Sequence, residues 1–242
     1  MKKKIIENIK TIFYALLIAL IIRSLLFQPF YIPSSSMEPN LLVGDRLFVS
    51  KYSYGYSRHS LPFSPKIFNS RIFSKKPNRG DVIVFKTPAD NRTDYIKRLI
   101  GLPGDTIQII NEELYLNNQI LLKKLIKSNL KINCGQESFK ANLFSETLPN
   151  GVKYYAAYRM IGTMKNTDKY VIPKNNYFFM GDNRDCSKDS RFLSSVGYVS
   201  NDNIVGKARV IFFSTDKTIG SIFKFWKLNE IIRWNRLLKK IR

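Results

Sequence analysis

The hydrophobic pattern divides the chain into an apolar beginning, a long period-two middle and a mixed tail. Residues 1–10 are polar, with Lys2, Lys3, Lys4 and Lys10 against Glu7. Thr11 to Ile22 is then almost continuously apolar, Arg23 and Ser24 interrupt, and Leu25-Leu26-Phe27 resumes. From Thr11 to Phe30 the stretch has the roughly 20 residues that a helix needs to cross a bilayer. The lysines place its N-terminal end in the cytoplasm and the rest of the chain on the other side. Arg23 lies near the far end, where its head can reach the interface. A cleavable export signal is the competing reading, but no small-x-small site follows the apolar run.

From residue 41 onward the pattern becomes β. Leu47–Val49, Val82–Phe85, Tyr95–Ile100 and Thr106–Ile110 are short branched or aromatic runs, each bounded by Gly, Pro, Asp or Asn. Pro103-Gly104 suits a type II turn, and Glu113 to Leu122 reads as a hairpin about Asn117-Asn118. Residues 125–150 read as polar and irregular. Strand character returns over Val152–Ile161, Tyr170–Ile172 and Tyr177–Met180, and Ile204–Phe213 forms a last long strand. In the tail, apolar residues including Trp226, Ile231, Trp234 and Leu238 alternate with Lys and Arg at helical spacing. That pattern predicts an amphipathic helix, either lying on anionic lipid or packed on the domain.

The expected architecture is mostly β: an antiparallel β domain with an inserted β subdomain, one N-terminal transmembrane helix and a C-terminal amphipathic helix. Its expected parts are a basic N-terminus with anchor (1–29), a β core (30–114 and 176–215), an insert (115–175) and a basic tail (216–242).

Charge changes the picture little. The net charge of +22 suits anionic lipid, nucleic acid or simply a Lys-rich proteome, and selects no specific nucleic-acid partner. Two cysteines, Cys134 and Cys186, and one histidine supply no Cys/His metal cluster, so neither metal nor cofactor is expected.

Candidate chemistry begins at Pro33-Ser34-Ser35-Ser36-Met37-Glu38-Pro39, three hydroxyls in a backbone stiffened by two prolines. A serine needs a base to become a nucleophile. His59 sits in a loop with no apolar strand to hold it and reads as a surface bystander. Lys97 differs from the other lysines because it lies within the apolar strand Tyr95–Ile100, on the side of Tyr95 and Leu99. If that side is buried, desolvation favours the free amine, which can accept a serine proton.

These stretches, with Gly44–Val49, Arg79–Phe85, Asp94–Asp105 and Gly181–Arg191, resemble in order and content the bacterial type I signal (leader) peptidases, from the anchor to about Phe213. The resemblance implies a mostly β serine endopeptidase, anchored once in the bacterial inner membrane with its catalytic domain outside the cytoplasm. Its partners would be preprotein signal peptides and membrane lipid. It assigns Ser36 as nucleophile, Lys97 as general base, Ser34 to the oxyanion hole and Ser187 to orienting the lysine. Arg98, Asp189 and Arg191 would support the Ser187 loop; Phe30, Ile32, Leu41, Val84 and Ile96 would line pockets for small side chains at −1 and −3. Ser35, Asn40 and Cys186 stand where many members carry Gly, Thr and Asn. A bridge from Cys186 to Cys134 would tie the Ser187 loop to the insert, and a free Cys186 is the expectation adopted.

Two other readings compete. A related Ser-Lys processing peptidase would share the same core, although a self-cleaving repressor would need a DNA-binding domain where the anchor stands. A non-catalytic, basic, membrane-anchored interaction protein would leave the Ser36 and Lys97 motifs without a purpose.

Overall fold

The computed structural model describes residues 2–65, 70–216 and 225–241. Lys2–Ile21 forms an α-helix (α1), extended by a π-helical turn over Ile22–Leu26. Its apolar side chains are exposed, and Lys3–Leu26 is long and apolar enough to cross a membrane. The helix ends before the expected Phe30, because Phe27–Tyr31 is strand β1, paired with residues 46–50. Pro29 explains the change: it lacks the N–H that a continuing helix needs and disfavours helical geometry at Gln28.

The remaining strands are β2 (Asp45–Ser50), β3 (Val82–Lys86), β4 (Asp94–Gly101), β5 (Thr106–Ile110), β6 (Glu113–Leu116) and β7 (Gln119–Ile120). They continue with β8 (Leu122–Cys134), β9 (Glu137–Thr147), β10 (Lys153–Arg159), β11 (Tyr170–Val171), β12 (Asn176–Met180), β13 (Val199–Ser200), β14 (Ile204–Ser214) and β15 (Lys239–Lys240). An eight-stranded sheet runs β1-β2-β14-β3-β4-β12-β13, with β15 added on β14. A four-stranded sheet (β11-β5-β6-β7) and a three-stranded sheet (β10-β9-β8) complete the fold. The fold is mostly β and antiparallel, as the pattern predicts. Asn117 and Asn118 both adopt positive φ in the tight turn between β6 and β7.

Both faces of β3 are buried, which is why its sequence is a continuous apolar run and not an alternation. Val82 and Val84 face one cluster with Ile32, Met37, Leu41, Leu47 and Val49. Ile83 and Phe85 face another with Tyr54, Leu99 and Phe179. The sheet thus carries core on both sides, and Ser36 and Lys97 both attach to it.

Two expectations are corrected. Residues 125–150 are not irregular: β8 and β9 make a long hairpin. Most of β8 is exposed and rich in lysine, and its register shifts between Leu125 and Lys127 and again before Leu130. The period-two signal is therefore lost although the backbone pairing persists. Nor is the tail one helix. Leu228–Ile231 is a single helical turn (α2), Trp234–Arg236 is a 3-10 turn, and Lys239–Lys240 pairs with Val210–Ile211. Tertiary polar contacts override the helical spacing: Arg236 donates to the Asp45 carboxylate at 2.9 and 2.5 Å, and Arg233 pairs with Asp216 at 2.9 Å. Residues 217–224 of the expected tail helix lie outside the described residues.

Candidate active site

The serine loop leaves β1 and returns to β2 across a closed base. Ile32 N–H donates to Asp45 O, and Gly44 N–H donates to Ile32 O. Within the loop, Met37 is fully buried in the apolar cluster beside β3. The residue after Ser36 is thus an anchor, and burying such a side chain contributes about 1.5–3 kcal/mol towards holding the loop in one place. Glu38 N–H closes a turn on Ser35 O at 3.0 Å. Ser36 emerges from this scaffold only 7% exposed.

Lys97 arrives from β4, opposite Ile83 of β3, and is 3% exposed. Its Nζ lies 2.6 Å from Ser36 Oγ and 3.0 Å from Ile96 O. Nζ also sits 5.4 Å from the centre of the Tyr95 ring, on the side that the period-two pattern predicts. Burial pushes the amine down to about 8, while Asp189 and Asp182 hold it up and Arg191 lowers it further. Ser34 Oγ is 3.3 Å from Ser36 Oγ.

The segment after β12 forms the third wall. Asn183 N–H donates to Ser36 O at 3.1 Å, and its side-chain amide donates to Ser35 O at 3.1 Å and Asn133 O at 3.0 Å. Gly181 allows this approach: a Cβ there would lie 2.1 Å from Ser187 Oγ and 2.5 Å from Ser36 O. Two buried ion pairs stand behind it. Arg191 donates to Asp189 through Nε and Nη2 at 2.8 Å each, and Gly181 N–H donates to Asp189 at 2.9 Å. Burial pushes Asp189 up, but Arg191 and these hydrogen bonds outweigh it and hold the carboxyl low. Arg98 is paired not with Asp189 but with Asp182, at 2.7 and 2.8 Å, both side chains fully buried. Ser187 is buried, and its hydroxyl makes no hydrogen bond to Lys97. It faces Asp189, close enough to help keep that carboxyl low without closing a bond of normal geometry.

Cys134 and Cys186 form a disulfide, so the expectation of a free Cys186 is overturned. The β8–β9 hairpin, which reads as irregular from sequence, places the end of β8 against the Ser187 loop; Asn133, next to Cys134, already bonds Asn183 and Glu38 there. His59 is also not a surface residue. It is 4% exposed, bonds Ser64 Oγ through Nδ1 at 2.9 Å, and is pushed down by burial to about 4. Its partners are Ser64 and Arg58, not the Ser36 loop.

A cleft of about 500 Å³ opens over Ser36 and Lys97 between β1 and β4. Phe30, Ile32, Val84 and Ile96 line it, whereas Leu41 sits behind them in the core, 1% exposed. Sequence reasoning gives no site role to Gly181, Asp182 and Asn183, which enter only as part of the Gly181–Arg191 motif, or to Asn40, which donates to Asp182 at 2.7 Å. The available signal was a Gly-Asp-Asn run directly after the apolar strand Phe178-Phe179-Met180.

A seryl oxygen in hydrogen-bond contact with a buried amine, at the floor of an open cleft, is the arrangement of a hydrolase that attacks through a nucleophile. The chain belongs to the peptidase S26 family of signal peptidases, whose model matches residues 5–213. It is similar to signal peptidase I of Rickettsia typhi, 39% identical over 257 residues that cover 99% of this chain and 95% of the relative. It is also similar to that of Rickettsia conorii, 42% identical over 245 residues that cover 94% and 90%. A crystal structure of a signal peptidase I from Enterococcus faecalis shares 27% identity, covering 55% of this chain and 97% of that one with a TM-score of 0.32. The chain is therefore a serine peptidase, a hydrolase of peptide bonds, as the resemblance implies. The reading as a non-catalytic interaction protein falls.

Proposed function

We propose that this peptidase removes signal peptides from exported preproteins, cutting after small residues at −1 and −3, with Ser36 as nucleophile and Lys97 as general base. The observation that carries the reading is the 2.6 Å contact between Ser36 Oγ and a buried Lys97 Nζ. The neutral amine takes the hydroxyl proton as Oγ bonds to the scissile carbonyl carbon. Charge then develops on the carbonyl oxygen, where the Ser34 hydroxyl and the Ser36 N–H stabilise it most. The C–N bond breaks as the Lys97 ammonium returns its proton to the leaving amine. Water, deprotonated by the same amine, hydrolyses the acyl-enzyme and frees Ser36.

In this reading Ser187 orients Lys97 through the loop that carries it and not through a hydrogen bond of its own, with the Asp189–Arg191 and Arg98–Asp182 pairs bracing that loop. Phe30, Ile32, Val84 and Ile96 form the pocket walls, and Leu41 fixes them from behind. The helix Lys3–Leu26 crosses the membrane once, with the N-terminus in the cytoplasm, the domain outside it and the tail against lipid. The same proposal keeps the division into anchor (1–29), core (30–114 and 176–215), insert (115–175) and tail (216–242). Ser36→Ala should abolish cleavage of a preprotein while leaving the thermal midpoint near that of wild type. A Ser36→Ala protein that still releases the mature N-terminus would remove Ser36 from the chemistry.

A further inference from the structure

The cleft over Ser36 shares Phe30 and Asp94 with a second cavity of about 500 Å³ that the reaction does not use. This cavity is built where the membrane helix meets the domain. Lys51 N–H donates to Leu26 O, and the Tyr56 hydroxyl donates to Leu25 O, both at 3.0 Å. Arg23, Lys51, Arg58, Lys86 and Arg92 line it, against only Asp90 and Asp94.

Both acids are already engaged. Asp94 pairs with Lys86 at 2.9 Å, and Asp90 accepts from the Thr93 hydroxyl and the N–H groups of Arg92 and Thr93. Arg23, Lys51, Arg58 and Arg92 form no salt bridge among the described residues. Lys51 is the extreme case: it is 2% exposed, and its ammonium donates to the Ser60 carbonyl and forms no salt bridge, although Asp94 acts on it across the cavity. Burial, then Arg23 and Lys86, push its amine down to about 8 against the opposing pull of Asp94. A buried cation in a ring of cations is unfavourable unless an anion joins them. At the rim, Phe63 is fully exposed at 103%, held out by a backbone with positive φ. An aromatic side chain projected beside the end of a membrane helix suits the bilayer interface.

We propose that this cavity binds the phosphate headgroup of an anionic phospholipid from the membrane, seated among Arg23, Lys51 and Arg58. The inference rests on the reading of Lys3–Leu26 as a membrane span, which sets the cavity at headgroup depth. The bound lipid would fix the distance between the bilayer surface and the mouth of the catalytic cleft.

The test uses the full chain in neutral detergent micelles. It is titrated by calorimetry with dihexanoyl phosphatidylglycerol, dihexanoyl phosphatidylcholine and inorganic phosphate. Saturable binding of phosphatidylglycerol is expected, at least tenfold tighter than either of the other two. Arg23→Gln and Arg58→Gln should each weaken it several-fold, and together more than tenfold. Lys239→Gln with Lys240→Gln, on exposed β15, should leave it unchanged. Lys51→Met should also abolish it; because a buried substitution can unfold the protein, the two arginine variants decide the outcome. Equal affinity for phosphatidylcholine, equal affinity for inorganic phosphate, or an unaffected double arginine variant would each overturn the proposal. Preprotein cleavage is measured on the same samples: a wild type that binds the lipid but does not cut would sink the proposed function and leave the lipid site standing.

Discussion

At the scale of single residues, the proposed chemistry depends on one amine kept out of water. Lys97 is buried with no carboxylate in contact, so its ammonium is destabilised and the free base is reached near pH 8. In the proposed mechanism only the free amine accepts the Ser36 proton, so kcat/KM should rise as pH increases through about 8 and level off above it. Arginine keeps the charge and cannot deprotonate, so Lys97→Arg should be as inactive as Lys97→Ala. Substantial activity in the arginine variant would exclude a neutral-lysine mechanism. Ile96 and Val84 narrow the cleft with branched side chains. If the cleft holds the −1 and −3 residues as proposed, a Leu or Phe there must displace packed atoms at about 1–3 kcal/mol, or roughly 10–200-fold in rate. Ile96→Ala should therefore accept larger residues there and loosen its hold on Ala. Sequencing the N-termini released by both enzymes checks this; the same tolerance in both would take Ile96 out of specificity.

At the scale of elements, the site is where a strand edge, a loop and a hairpin tip converge, and the polar links between them hold it. The Arg98–Asp182 pair joins β4 to the segment after β12, with Asn40 of the serine loop on the same carboxylate. Because both charges are fully buried, losing one partner is far costlier than the pair's net worth. The Cys134–Cys186 bridge adds the β8–β9 hairpin to this group across 52 residues of sequence. Closing a loop of that length stabilises by about 2–4 kcal/mol through the unfolded chain. The Cys134→Ser/Cys186→Ser double variant should shift the urea midpoint down accordingly, and dithiothreitol should do the same to wild type. A midpoint insensitive to both changes would show that the bridge contributes nothing.

At the scale of the whole molecule, an apolar helix and a strongly basic domain dispose the chain around a membrane. The exposed apolar length of α1 has no protein core to cover it. Trp226, Trp234 and Leu238 are likewise exposed in the tail, at 67%, 54% and 75%. In the proposed orientation, read from the lysines on the N-terminal flank, protease added to intact spheroplasts should digest the domain. Survival of the domain until the membrane is permeabilised would reverse the orientation proposed here.

Whatever depends on neighbours along the chain was legible in the sequence alone. The membrane-length helix follows from an apolar run with a basic flank, and β2 to β5 follow from branched residues between turn formers. The pairing of a stiff Ser36 loop with a lysine inside an apolar strand was legible too, because an isolated lysine in such a strand is locally anomalous. Everything that rests on partners distant in the chain was settled by tertiary packing. Arg98 chose Asp182 because β4 and β12 are neighbours in the sheet, which its own surroundings in sequence do not encode. Cys186 found Cys134 through a hairpin whose exposed, lysine-rich face carries no alternating signal. The tail gave up its helical spacing because Arg233 and Arg236 gain the carboxylates of Asp216, just past β14, and of Asp45 on β2. A local pattern records which face a residue prefers; only the packed sheet supplies the groups it meets there.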